Sequence, residues 1–458
     1  MAVVLSELAQ IVGPDFVGSP PAAELQDASI ASGQRARDDA LLVRPGSANE
    51  VASVVAWCYS HDVPIVPRGG GTGYAGGAVP VVEGSVVVSV DRLRAVRSFD
   101  PLLWRMEVEA GMTTHDVARL ARENGLLYPP DPGAGESSFI GGNVATNAGG
   151  PHAFKYGVTG AWVTGLEAVV APGVLVRLGG PTRKDVAGYD LPKLLTGSEG
   201  TLGLITSVWL KLIPAPEAAY PIAAVFGDVA SGMGAIEAAM ASGVVPSAIE
   251  FLDAGVLRAA GGSFPAGALP DDGFLVLLEA DGTEDEARRG REELVEAVSS
   301  AGAASVHAPE SPGDVRAFWH WRSGVSHAVV AQQGGKLSED VAVPLDRLAE
   351  AITETVEIGA RHGLEACSWG HAGDGNLHST FLLTPGDADQ LARAHDAAAE
   401  LFDMAIRLGG TVSGEHGIGL LKNGQLSKQW PAAAVDLHHA VKRALDPKGL
   451  FNPGKKLP

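Results

Sequence analysis

The sequence predicts an α+β fold of two or three domains, and three observations support this prediction. The chain has 458 residues, more than a single hydrophobic core usually serves. Hydrophobic residues make up 46% and charged residues 19%, as in globular proteins with substantial cores. Glycine clusters and strand-like runs fill the first half, whereas alanine-rich helical patterns alternate with strands after Pro216. We therefore place a domain boundary near residue 215.

The first half is predicted to begin with a helical lead-in and a loop. Ser47 and Glu50 have the spacing of a helix capping box, and a run with helical apolar spacing follows them. The remaining elements predicted here are strands at 63–67, 84–90, 105–111 and 202–214, an amphipathic helix at 114–126 and a hairpin at 163–180. Residues 129–150 show almost no periodicity.

The second half carries longer helical patterns. Helices are predicted at 232–243, 285–302 and 387–410, with a strand at 273–282 between them. Residues 369–385 are predicted to be a loop that enters a strand. This alternation indicates an α+β domain of its own.

Charge and cysteine content exclude several classes of protein. The formal net charge of −20 argues against a nucleic-acid partner, which would require a basic face. Two cysteines, Cys58 and Cys367, can form neither a disulfide framework nor an iron–sulfur site within the chain. The first 16 residues have no basic leader, and every apolar run is shorter than a membrane helix requires. We expect a cytoplasmic protein, with peripheral attachment to a membrane left open.

A glycine-rich segment, PRGGGTGYAGG, follows the strand predicted at 63–67. Gly71–Gly76 matches the G-x-G-x-x-G pattern of nicotinamide-dinucleotide sites, but that pattern must open a helix, and Gly77 and Pro80 follow at once. A surface loop is the plainer alternative. A row of glycines also allows successive backbone N–H groups to converge on an anion such as a diphosphate.

Two polar islands lie in the second half of the chain. WGHAGDGNLH places His371 and His378 seven positions apart, and SGEHGIG follows with Glu415 and His416. Two imidazoles and a carboxylate suit Zn²⁺ or Mn²⁺. The alternative is that these are ordinary hydrogen-bonded polar residues beneath loops.

Several long motifs occur in a fixed order along the chain: PRGGGTGYAGG, DPGAGESSFIGGNVATNAGG, FKYGVTGAWVTGLEAVV, TRKDVAGYDLPKLLTGSEGTLGLIT and FNPGK. Together they resemble FAD-linked oxidoreductases of the vanillyl-alcohol-oxidase type, in the branch of D-lactate dehydrogenases and glycolate oxidase FAD subunits. The resemblance implies a two-subdomain FAD-binding domain at 1–215 (core about 37–215) and a substrate (cap) domain at 216–420 with an antiparallel sheet, helices and a metal site. Residues 421–458 would return to the FAD domain.

The resemblance also implies the FAD contacts. The FAD is expected to be non-covalent, because PRGGGTGYAGG offers neither His nor Cys as a tether. The residues expected to hold it are Arg68, Gly69, Gly70, Gly71, Thr72, Gly73, Asp131, Ser137, Gly141, Gly142, Asn143, Thr146, Glu199, Gly200, Ile205 and Asn452.

For the reaction, the resemblance implies His371, His378 and Glu415 as metal ligands and His416 as the catalytic base. Asn376 would orient the substrate or the ion. Arg322 on the aromatic run WHWR, and Lys336, would meet the substrate carboxylate. A surface arginine on an aromatic helix is the alternative for Arg322.

The function implied is FAD-dependent oxidation of a small D-2-hydroxy acid, D-lactate or glycolate, to the 2-oxo acid, with metal assistance and hydride transfer to flavin N5. The alternatives are a non-catalytic flavin-binding subunit of a larger redox complex and an O₂-using 2-hydroxy-acid oxidase. An NAD-dependent metal dehydrogenase is disfavoured by Pro80. The electron acceptor is expected to be a separate iron–sulfur subunit, a cytochrome or a quinone, and a homodimer is left open.

Overall fold

A computed structural model describes residues 2–458, with side chains described from residue 4 onward. The chain forms two compact units. Unit 1 comprises residues 1–149, 158–215 and 415–458, and unit 2 comprises residues 150–157 and 216–414. The bounds 1–215 for the FAD-binding domain, 216–420 for the substrate (cap) domain and 421–458 for the returning segment remain a prediction.

The strands are, in chain order, β1 (Val17–Gly18), β2 (Leu41–Val43), β3 (Ile65–Arg68), β4 (Val86–Ser89), β5 (Val96–Asp100), β6 (Arg105–Glu109), β7 (Leu126–Leu127), β8 (Val163–Val170), β9 (Val174–Gly179), β10 (Leu204–Lys211), β11 (Ile213–Pro214), β12 (Ala218–Phe226), β13 (Ala248–Leu252), β14 (Phe274–Gly282), β15 (Ser305–His307), β16 (Gly335–Ala342), β17 (Ala366–His371) and β18 (Asn376–Leu383).

The helices are, in the same order, α1 (Ala2–Val12), α2 (Ala48–Ser60), α3 (Thr114–Arg122), α4 (Ile140–Thr146), α5 (Ala153–Tyr156), α6 (Leu191–Leu195), α7 (Val229–Ala241), α8 (Ala254–Ala260), α9 (Glu284–Ser300), α10 (Pro312–Gln333), α11 (Leu348–Arg361), α12 (Ala388–Arg407), α13 (Leu426–Gln429) and α14 (Ala432–Leu445).

The described part of unit 1 has two larger sheets of different kinds, which fits the predicted pair of subdomains, and a two-stranded sheet of β7 and β11. Over the described residues, the first has the order β1-β2-β4-β3, in which β2, β4 and β3 are parallel. The second is the antiparallel order β5-β6-β10-β8-β9. All four residues of β4 are buried, as expected for a central parallel strand covered on both faces. Ser47 caps α2 by accepting from the N–H of Glu50, and Glu50 in turn accepts from Gly46.

Unit 2 is built on one antiparallel sheet with the order β15-β12-β14-β13-β17-β18-β16 over its described residues. Helix α10 buries Phe318, Trp321, Val325 and Val329, which are spaced as one helical stripe. This stripe packs against α8 and against the face of the sheet that carries Leu252. Together they form one apolar core. Arg322 lies in the same stripe and is buried, so it is not a surface arginine.

The fold is α+β, as the sequence predicts. Among residues 2–458, no helix combines the length and the apolar character that crossing a lipid bilayer requires. Both cysteines are buried free thiols.

Candidate functional site

A row of polar side chains crosses one face of the unit 2 sheet where its apolar core ends. Strand register places Glu250 opposite His371, and His378 opposite both Trp369 and Asp340. Directly opposed residues of antiparallel strands point to the same face, so these side chains share a surface. The rings of His371 and His378 lie 5.4 Å apart between centroids and are almost perpendicular, at 88°.

Residues 369–385 were predicted to be a loop that enters a strand; the strand is confirmed, but the beginning of this stretch is not a loop. Trp369 and His371 already belong to β17, and a short turn joins them to β18, which begins at Asn376. Gly375 completes the turn with φ +66°, and a Cβ there would clash with the carbonyl oxygen of Val343. The glycines therefore serve a tight hairpin, and both histidines stand on strands.

Glu250 joins Arg322 to His371 inside unit 2. Its side chain is fully buried; one carboxylate oxygen pairs with Nη2 of Arg322, and the other lies 2.5 Å from Nδ1 of His371. Burial raises the pKa of Glu250, but the charges of Arg322 and His371 outweigh it and hold that pKa below its ordinary value. The carboxylate is therefore ionised between its two partners.

The segment leading to Glu415 is held against the same strands. Ser413 donates to Asp340 at 3.2 Å, and a Cβ on Gly414 would clash with the side-chain amide of Asn376. Glu415 is the next residue along the chain. One ligand atom from each of His371, His378 and Glu415 can be chosen so that all three lie within 4.8 Å of one another. Two imidazoles and a carboxylate in such a group fit a divalent ion.

Asn376 and Arg322 each leave one buried polar atom without a hydrogen bond from the described residues. These atoms are Oδ1 of Asn376 and Nε of Arg322. The other amide atom of Asn376, Nδ2, donates to the carbonyl of Val341 at 3.0 Å. Buried polar atoms usually find a partner, so both atoms are consistent with a ligand at this face of the sheet.

Lys336 lies on β16 of the same sheet. Its Nζ donates to the hydroxyl of Ser326 at 2.7 Å and lies 4.8 Å from the centre of the Trp369 ring. Burial lowers the pKa of Lys336 to about 8. The chain thus keeps a partly buried cation beside an aromatic face and a hydroxyl.

In unit 1, the glycine-rich segment packs on the segment that precedes α4. A Cβ on Gly70 would clash with the carbonyl oxygen of Ser137, and one on Gly69 would lie 3.4 Å from Cα of Gly142. Within the described residues, the backbone N–H groups of residues 70–73 donate to no protein oxygen. Two backbone segments in close contact, with N–H groups left free, fit a binding site for a diphosphate. The element that follows the glycine-rich segment is a strand and not a helix.

Arg68 and Asn452 are committed to the protein itself. The Arg68 guanidinium donates to the backbone carbonyls of residues 24–26. The Asn452 amide donates to the carbonyls of Gly77 at 2.9 Å and Glu199 at 2.7 Å. Both side chains therefore hold parts of unit 1 together. Any contact that these two residues make to FAD would come from their backbone or from side-chain atoms outside these hydrogen bonds.

Glu199 organises the second polar island. Its carboxylate accepts from the N–H groups of Ile418 at 2.9 Å and Gly419 at 2.6 Å, just after His416. The ring of Tyr74, from the glycine-rich segment, stacks on the His416 imidazole. Unit 1 thus brings the glycine-rich segment and the histidine together.

The other residues expected at FAD occupy the same unit. Gly141 donates to the carbonyl of Ala110, and Thr146 donates to the carbonyl of Gly142 within α4. Their positions are Asp131 half-buried in a loop, Ser137 exposed before α4, Asn143 buried on α4, Gly200 against Pro67, and Ile205 buried on β10.

Sequence reasoning missed Glu250 and Tyr74. Glu250 is the one charged residue of the apolar strand AIEFL. Carboxylates are rarely buried without a partner, so its position in this strand was the signal that could have revealed it. Tyr74 was not singled out within the glycine-rich segment. Arg322 was expected to bind the substrate carboxylate, and its ion pair with Glu250 was not foreseen.

Comparison with known proteins gives the family. A model described as FAD binding domain matches residues 40–179, and one described as FAD linked oxidases, C-terminal domain, matches residues 215–456. The glycolate oxidase subunit GlcD of Bacillus subtilis (strain 168) is 34% identical over 452 residues, covering 99% of this chain and 96% of that protein. A D-lactate dehydrogenase of Anaerostipes hadrus is 33% identical, covering 91% and 89%.

Solved structures agree with the fold. A p-cresol methylhydroxylase crystallised with substrate superposes with a TM-score of 0.80 at 18% identity, covering 99% of this chain and 96% of that one. The FAD-binding region and the C-terminal region together account for most of the sequence. The chain is therefore an FAD-linked oxidoreductase and belongs to the family of FAD-linked oxidases.

Proposed function

We propose that the protein oxidises a small D-2-hydroxy acid, such as D-lactate or glycolate, to the 2-oxo acid, with bound FAD and a divalent ion, Zn²⁺ or Mn²⁺. The observation that carries this proposal is the grouping of His371, His378 and Glu415 ligand atoms. A 2-hydroxy acid offers one ion both a carboxylate oxygen and the α-hydroxyl. The names of the glycolate oxidase and D-lactate dehydrogenase relatives support the same substrate class.

The ion, when bound, supplies positive charge that lowers the pKa of an α-hydroxyl, and FAD supplies the acceptor at N5 for the hydride of the α-carbon. His416 accepts the hydroxyl proton as general base. Arg322 has N–H donors beyond the one that meets Glu250, and these bind the substrate carboxylate together with Lys336. Asn376 uses its partnerless Oδ1 to orient the substrate or the ion.

One proton and one hydride leave the substrate, so the product is the 2-oxo acid and the flavin gains two electrons. The chain needs an acceptor for those electrons. With two cysteines it cannot ligate an iron–sulfur cluster, so we propose a separate iron–sulfur subunit, a cytochrome or a quinone. The relative from Bacillus subtilis is itself named as a subunit.

The test is an anaerobic visible spectrum of the purified holoprotein before and after addition of D-lactate, L-lactate, glycolate or D-2-hydroxyglutarate. We expect one D-acid or glycolate to bleach the flavin bands. A flavin spectrum that none of the four acids changes would contradict the proposed substrate class and favour a non-catalytic flavin-binding subunit. Rapid return of the bands on admitting air would favour the O₂-using oxidase.

A further inference from the structure

Glu250 makes two contacts that differ in kind. Its Oε2 meets Nη2 of Arg322, and its Oε1 lies 2.5 Å from Nδ1 of His371. Glu250 sits on β13 with 0% of its side chain exposed, and Arg322 and His371 are 9% and 8% exposed. Both contacts are therefore largely shielded from water, and this carboxylate orients the His371 ring.

The pairing fixes which His371 nitrogen carries the proton. A carboxylate beside a permanently charged guanidinium can only accept hydrogen bonds, so Nδ1 of His371 is the donor. In a neutral imidazole the lone pair then belongs to Nε2. Carboxylate–histidine–metal arrangements have this form, in which the outer carboxylate sets the ring orientation and raises the basicity of the ligand nitrogen.

We propose that Glu250 is a positioning residue of the metal site, which presents Nε2 of His371 to a divalent cation and is itself held by Arg322. The proposal rests on the proposed function, since it takes His371 as a ligand. It adds that Arg322, which is proposed to bind the substrate, and His371, which is proposed to bind the ion, both contact the buried carboxylate of Glu250.

A simpler role for Glu250 is to neutralise the buried Arg322. An unpaired buried charge is costly, so removal of Glu250 alone would disturb folding for that reason as well. The two roles separate in the double variant Glu250→Gln/Arg322→Met, in which no buried charge is left unpaired. If Glu250 only neutralises Arg322, the double variant should recover the metal affinity of the wild type. If Glu250 positions His371, the double variant should not recover it.

The chain offers a matched control on the neighbouring strand. Glu279 is also a buried carboxylate, and it accepts from Trp319 at 2.7 Å, Ser247 at 2.7 Å and His152 at 2.9 Å. None of these partners is a proposed metal ligand. Glu279→Gln therefore removes an equivalent buried charge without touching His371.

The experiment measures Zn²⁺ binding by chelator-stripped, FAD-loaded protein in competition with a chromogenic chelator, independently of turnover. We expect Glu250→Gln and the double variant to weaken Zn²⁺ binding about 10–100-fold. Glu279→Gln should bind as the wild type does, and His371→Ala should lose the site. Wild-type affinity in the folded double variant would overturn the proposal while leaving the metal site intact. Equal binding by wild type and His371→Ala would overturn both.

A second measurement does not depend on a folded Glu250 variant. In ¹⁵N-histidine-labelled, Zn²⁺-loaded wild-type protein, the His371 signals are those that His371→Ala removes. We expect these signals to show the tautomer protonated at Nδ1. A His371 ring protonated at Nε2 would overturn the proposal even if every Glu250 variant failed to fold.

Discussion

The ring of Tyr74 stacks on the imidazole of His416, with centroids 4.7 Å apart and planes inclined by 26°. Tyr74 comes from the glycine-rich segment and His416 from the island that follows Glu415. Burial, and then the charge of Glu415, raise the pKa of the Tyr74 phenol, so the stacking partner is a neutral ring. The proposed base is therefore oriented by an aromatic face.

Replacing Tyr74 should slow flavin reduction through loss of this stack. An aromatic pair contributes about 0.5–1.5 kcal/mol. We expect Tyr74→Ala to lower the anaerobic reduction rate by about two- to tenfold, and Tyr74→Phe, which keeps the ring, to stay near the wild type. Stopped-flow reduction by saturating substrate measures both. Equal loss in the Phe and Ala variants would assign the effect to the hydroxyl instead.

His416→Asn should keep bound FAD and lose flavin reduction by about 10²–10⁴-fold, the usual effect of removing a general base. The absorbance ratio of flavin to protein reports FAD retention, and stopped-flow reports the rate. His395→Asn is the control, because His395 is exposed on α12. Unchanged kinetics in the His416 variant would remove this residue from the mechanism.

Two glycine substitutions should have different consequences in unit 1. Gly70→Ala places a methyl group against the Ser137 carbonyl, so we expect overpacking to destabilise even the FAD-free protein by about 1–3 kcal/mol. Around Gly73 a Cβ meets no protein atom within 4 Å. We therefore expect Gly73→Ala to leave the FAD-free unfolding free energy unchanged and to weaken FAD binding. Denaturant unfolding and FAD titration separate the two, with Gly180→Ala as a neutral control.

Lys336 should give substrate binding a pH dependence. Since burial lowers its pKa to about 8, the ammonium is charged at pH 7 and loses its charge as the pH rises through about 8. A substrate carboxylate then loses a charged partner worth about 1.5–3 kcal/mol, so KM should rise roughly tenfold or more between pH 7 and pH 9.5. Lys336→Arg keeps its charge and should show a flat profile. Parallel profiles in the two proteins would exclude Lys336 from substrate binding.

Removal of the ion with a chelator should distinguish the role of the ion from that of the flavin. We expect EDTA-treated protein to keep its visible flavin spectrum and to lose most of its reduction by substrate, because the α-hydroxyl then keeps its high pKa. Added Mn²⁺ or Zn²⁺ should restore the rate. Native reduction kinetics in protein shown by elemental analysis to be metal-free would contradict the proposed role of His371, His378 and Glu415.

The sequence was sufficient for the fold class because its elements carry local signals. The apolar run in β4, the Ser47 cap of α2 and the helical apolar spacing of α12 can each be recognised within a short stretch of sequence. Helix α4 was missed because two glycines interrupt it and it has no apolar period; Gly141 is accommodated against Ala110, a contact made only in the folded chain.

The candidate metal site could be predicted from the sequence only where its residues lie close together along the chain. His371, Asn376 and His378 share one motif, and Glu415 and His416 share another. The bond from Glu250 to His371 spans 121 residues and no motif encodes it, so sequence reasoning gave Arg322 a substrate role and overlooked its partner.

Residues 150–157 belong to unit 2 although both their neighbours along the chain belong to unit 1. Within unit 2, His152 meets Glu279, and Lys155 and Tyr156 meet Asp281. A fragment spanning residues 216–414 would lack these partners for two nearly buried carboxylates. A single division of the gene near residue 215 would therefore separate these side chains from their partners, and we expect an exchange of modules between relatives to be tolerated better when this octapeptide moves together with the larger segment.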